Sequence, residues 1–69
     1  MRTKTAIISI EALSAEAVPD LARALKAVPG VHSIDFSLER SVAVVEFDPN
    51  KSNVDDFLRA VLKAGYKVL

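Results

Sequence analysis

Chemistry needs groups that move protons, attack carbonyls or bind metals, and in this sequence few such groups sit together. The 69 residues include no cysteine, one histidine, one methionine and one tyrosine. The stretch IEALSAEAVP at 10–19 is where a β-rich run gives way to a helical pattern. Strand-to-helix loops of this kind hold backbone N–H groups and side chains at the rim of a sheet, where function concentrates. Yet Ala12, Leu13, Ser14, Ala15, Glu16, Ala17 and Val18 offer one hydroxyl and one carboxylate as their only polar side chains. Both are hard oxygen donors, unsuited to Cu(I) and too few for Zn(II). The only softer donors are Met1 and His32. Both belong at the opposite end of the sheet, and a seven-residue strand spans roughly 23 Å, so neither reaches the loop. His32 reads as a partly exposed residue at a strand start. Glu16 and Asp20 put negative charge near a helix start, where the macrodipole favours it. Asp55 and Arg59 lie four apart and fit a surface ion pair. No histidine–nucleophile pair, glycine-rich phosphate loop or paired catalytic carboxylates appear, and these absences argue against an enzyme.

Bulk composition narrows the field further. A chain of 69 residues makes one small domain spanning 1–69, and 51% hydrophobic residues suffice for a single core. Nine basic residues balance nine acidic ones, against the basic excess of a nucleic-acid binder. The longest apolar runs, such as VAVV at 42–45, are far too short to cross a bilayer. No signal-peptide pattern opens the sequence. These features lead to the expectation of a soluble, cytoplasmic module that uses neither nucleic acid nor membrane insertion.

The elements that must position the loop follow from periodicity. Thr3–Ile10 alternates so that Ala6, Ile8 and Ile10 share a face, predicting a strand. Leu21, Ala22, Leu25 and Val28 recur at helical spacing. Pro19 must lie in the first turn, so that helix starts near Glu16 or Ala17, and Pro29-Gly30 ends it. Val31–Leu38 turns Ile34, Phe36 and Leu38 to one side, and Ser41–Asp48 does the same with Ala43, Val45 and Phe47. Glu39-Arg40 between them suits a hairpin. Asp48-Pro49-Asn50 is a turn signal. Asn53 with Asp56 reads as a carboxylate version of a capping box, opening a helix with Val54, Phe57, Leu58, Val61 and Leu62 on its inner stripe. Gly65 closes it, and YKVL predicts a short last strand. The order βαββαβ predicts an α+β, ferredoxin-like sandwich: a four-stranded antiparallel sheet, its first and third strands central, with two helices on one face.

The segments VPGVHSIDFSL (28–38), VVEFDPNK (44–51) and FLRAVLKAGYKV (57–68), in this order and spacing, resemble the heavy-metal-associated domain. That family includes copper chaperones and the N-terminal extensions of metal-pumping ATPases. The resemblance covers nearly the whole chain, from Ile8 to Val68. It places the family's Met-x-Cys-x-x-Cys metal loop on Leu13 to Val18, with Leu13 at the methionine, Ala15 and Val18 at the cysteines, and Ser14 between. It also implies that Tyr66 lies beside that loop. Two thiolates two residues apart select soft metals, and alanine and valine have no lone pair to offer. The motif is degenerate, and no resident cofactor is expected.

Two readings follow. In the first, the chain is a non-catalytic interaction or regulatory module of heavy-metal-associated type that has lost its metal. In the second, it is a heavy-metal binding or transport module, for Cu(I) or Zn(II), working with ligands from a partner. The first is the primary expectation from the residues. With both helices on one face, the sheet's other face is open, and Ile7, Val42 and Val44 point there, with Leu69 able to widen the patch. Grouped aliphatic residues on such a face mark a candidate contact with a protein partner or a second copy.

Overall fold

A computed structural model describes residues 2–69. The observed order is β1 (Lys4–Ser9), α1 (Val18–Lys26), β2 (Val31–Ser37), β3 (Val42–Phe47) and α2 (Val54–Lys63). The sheet is antiparallel in the order β1-β3-β2, so the last strand to be made is the middle one. Alternation does what it promises on β1 and β3: Ala6, Ile8, Ala43, Val45 and Phe47 are buried. The helices supply Leu21, Leu25, Phe57 and Val61 to the same core. Phe47 and Phe57 meet edge to face at 4.8 Å, a geometry that suits the ring quadrupoles. Phe36 is only half-buried at the margin of that core.

Among the described residues the sheet has three strands, where four were expected. The segment after α2 makes a single antiparallel bridge, Val68 to Ile10. Two hydrogen bonds flank it, Glu11 N–H to the Lys67 carbonyl at 2.8 Å and Leu69 N–H to the Ser9 carbonyl at 2.9 Å. The ladder cannot extend beyond Glu11, because the next residue, Ala12, turns the chain with a left-handed backbone (φ 56°). The tail thus sits beside β1, where a fourth strand was predicted, without forming one.

Smaller corrections share a cause: tertiary geometry overrides local spacing. Leu38 leaves the inner face and is 46% exposed, because the chain is already turning there. Val54 and Leu62 fall at the edges of the α2 stripe and are exposed. Arg59 pairs with Asp56 at 3.0 Å, not with Asp55, since Asp56 is already held in place as part of the cap. On β2 the pairing jumps from Val31↔Phe47 to Ser33↔Glu46, so His32 is the extra residue of a β-bulge and is exposed. Met1, considered with His32 as a softer donor, lies outside the described residues.

Candidate functional site

The loop from Glu11 to Ala17 runs from the end of β1 to the start of α1. Leu13 and Ala17 are buried, and Ser14, Ala15 and Glu16 are exposed. Leu13 therefore anchors the loop in the core while the three residues after it face outward. Val18, half-buried, is the first residue of α1, and Pro19 follows it within the first turn, as its chemistry requires.

Contacts from distant parts of the sequence and from its own turn hold this loop. Ser41, in the β2–β3 turn, donates its hydroxyl hydrogen to the Ile10 carbonyl and accepts from the Leu13 N–H at 3.3 Å. The Ser41 carbonyl also accepts from Ile10 N–H at 2.8 Å. Ala17 N–H donates to the Ser14 carbonyl at 3.0 Å, closing a tight turn before the helix. Tyr66 lies beside the loop, half-buried, and its hydroxyl donates to Asp20 Oδ2 at 3.3 Å. The tyrosine pKa is raised, first by desolvation and then by the Asp20 charge and hydrogen bond. A shallow depression of about 340 Å³ lies against this region, lined by Glu11, Ala12, Gly65, Tyr66 and Lys67.

The donor set does not fit a bound soft metal. Ala15 and Val18 present only alkyl groups, and Leu13 points inward. Among the described residues no three His, Cys, Asp or Glu side chains are placed to share an ion. Ser41 and the Asp20 contact were missed by sequence reasoning. A serine after Glu39-Arg40 signals a turn, yet nothing local says which backbone its hydroxyl reaches.

The open sheet face brings the other candidate residues together. Ile7 pairs directly with Val44, and Val42 lies two residues along on the same face, opposite Ser9. Ile7 is 69% exposed, and Val42 and Val44 are half-buried. Leu69, beside Ser9, is exposed as well. Asp35, Ser37 and Glu46 border the group, with Ser33 donating to Glu46 at 2.9 Å. Four aliphatic side chains with such a border make far less surface than the roughly 1,600 Å² of a standard interface. Among the described residues no helix is long and apolar enough to cross a membrane.

Comparison with known proteins gives this arrangement its relatives. The family model described as "Heavy-metal-associated domain" matches residues 18–67. The mercuric transport protein periplasmic component of Shigella flexneri is 34% identical over 65 residues, which are 93% of this chain and 71% of that one. The crystal structure of oxidized MerP from Ralstonia metallidurans CH34 superposes with a TM-score of 0.88 at 29% identity, covering 99% of this chain and 96% of that one. A copper binding domain from HMA7, a P-type ATPase, superposes with a TM-score of 0.81 at 26% identity, covering 100% and 95%. These relatives back the metal-handling reading better than the regulatory one, and they are modules of non-catalytic type. They also overturn the expectation of a cytoplasmic protein, since the mercuric transport relatives are periplasmic components by name.

Proposed function

This chain belongs to the heavy-metal-associated domain family, and on that premise we propose that it is a heavy-metal transport module that acts with metal ligands supplied by a partner. Its place of work on this reading is the periplasm, in the company of dithiol transport proteins. What supports the reading is a contrast: the family fold is kept, while Ala15 and Val18, the residues that the sequence resemblance sets at the thiolate positions, carry only alkyl groups. A loop of exposed Ser14, Ala15 and Glu16 around a buried Leu13 is a contact surface rather than a cage. The partner brings the sulfur and this chain brings the shape. The open sheet face around Ile7 and Val44 is a secondary contact for the same partner, too small to hold two copies together. Catalysis has no part in it, because the ion changes ligands without any bond being made or broken in a substrate.

The test uses the isotope-labelled chain and a dithiol heavy-metal protein, the mercuric transport protein periplasmic component loaded with Hg(II). Amide shifts are expected at Ser14, Ala15, Glu16 and Asp20 on mixing, with no metal retained by this chain alone in native mass spectrometry. Absence of any shift with the loaded protein would overturn the docking reading. One tightly held Hg(II) or Cu(I) per isolated chain would overturn the assignment of the ligands to a partner.

A further inference from the structure

Two non-glycine residues among those described have left-handed backbones, Ala12 (φ 56°) and Ser41 (φ 58°). They flank the same loop, but they differ in what the strain accompanies. Ala12 turns the chain out of the β1 ladder, and its methyl side chain has no group to donate or accept a hydrogen bond. Ser41 aims a hydroxyl into the start of the loop, where it donates to the Ile10 carbonyl and accepts from Leu13 N–H. Non-glycine residues held in this region persist where the surroundings over-determine them, and they cluster at functional sites.

We propose that Ser41 is the positioning residue of the loop: from the β2–β3 turn its hydroxyl fixes Leu13 inward, and so fixes Ser14, Ala15 and Glu16 in the outward arrangement that docks a partner. The physical case is the orphan-group problem. Between Ile10 and Leu13 the chain leaves β1, so the Ile10 carbonyl and the Leu13 N–H have no ladder partner. Both groups are part-buried, and a polar group left unmet there pays its desolvation in full. One hydroxyl, which both donates and accepts, meets both. Ser41 reaches across from a left-handed backbone, and its own carbonyl accepts from Ile10 N–H at 2.8 Å. The loop is thereby tied to a hairpin some thirty residues further along the chain, so it is held rather than free to rearrange. The docking half of the proposal rests on the function proposed above, and the clamp half does not.

Amide hydrogen exchange separates the two halves. Ser41→Gly keeps the left-handed backbone without strain and deletes only the hydroxyl; Ser41→Ala deletes the hydroxyl and keeps the strain. In both variants the Leu13 amide is expected to exchange about ten-fold faster or more. The Ile10 amide, bonded to a backbone carbonyl that remains, stays protected and serves as the internal control. Docking of the Hg(II)-loaded dithiol protein to Ser41→Gly is expected to weaken several-fold, with unchanged far-ultraviolet circular dichroism. Unchanged Leu13 exchange would overturn the proposal, as would equal acceleration at Ile10, which is the mark of a loosened hairpin. Selective Leu13 acceleration with docking intact would overturn the positioning role. If wild type itself fails to dock, the proposed function falls while the exchange data still read the clamp.

Discussion

The two strand-to-helix connections of this domain solve one problem in opposite ways. The connection into α2 closes on itself. Asn53 Oδ1 accepts from Asp56 N–H at 3.1 Å, and Asp56 Oδ2 accepts from Asn53 N–H at 2.9 Å. That reciprocal capping box satisfies two helix-start donors within four residues. The connection into α1 has no side-chain cap, and the residue before the helix is Ala17. It is held instead from afar, by Ser41 across the sheet and by Tyr66 through Asp20. A connection that only turns the chain can be self-contained. On the function proposed above, the other gives its residues over to a contact surface and takes its order from the scaffold.

The largest test of this contrast places two thiolates in the loop. Ala15→Cys with Val18→Cys is expected to create Cu(I) binding under reducing conditions, from none to one ion per chain, without unfolding the domain. Competition against a chelator reads it. A folded double variant that takes no Cu(I) would mean that the loop is not the counterpart of the family's metal motif.

Next comes the cap. Asn53→Ala is expected to cost about 1 kcal/mol, a loss of roughly 5 °C in melting temperature for a domain of this size. Ser14→Ala at the uncapped connection is expected to change stability by no more than about 0.3 kcal/mol, within the range of ordinary surface changes. Equal losses at the two positions would erase the distinction between self-contained and scaffold-held connections.

Ala12→Gly sharpens it further. Glycine adopts a φ of 56° without the Cβ penalty, so a gain of about 0.5–1 kcal/mol is expected, read as a higher urea midpoint at unchanged slope. Ser41→Gly relieves the same kind of strain but loses two hydrogen bonds, so it should bring no such gain.

The smallest effect concerns pH. Tyr66 has a raised pKa through desolvation and the Asp20 carboxylate, so the folded state favours the neutral phenol. The sign follows: this stabilisation is complete below the unfolded phenol pKa and is lost as pH climbs through the folded one. As Tyr66 is the only tyrosine and tryptophan is absent, a phenolate absorbance titration reads it alone. Its midpoint is expected above 10, and Asp20→Asn should lower it.

What the sequence disclosed and what it withheld divide along the same line. β1, α1, β2, β3 and α2 were legible because alternation and helical spacing are local patterns. The Asn53–Asp56 box was legible because its partners lie three residues apart. The Ser41 clamp and the Tyr66–Asp20 bond span 28 to 46 residues, and no spacing rule links such positions. The choice of Asp56 over Asp55 by Arg59 and the missing fourth strand belong with them. In each case a backbone turn or a prior contact decided between partners that the sequence left equal.

The bulge at His32 bears on how this protein behaves in crowded solution. β2 is an outer strand, and an outer strand offers an unfilled row of backbone donors and acceptors to any passing chain. An incoming strand that began to pair at Ser37 would meet, at His32, one residue too many. From that point its register no longer matches, and the local twist carries the edge away. The extra residue thus interrupts edge-to-edge growth of the sheet along β2.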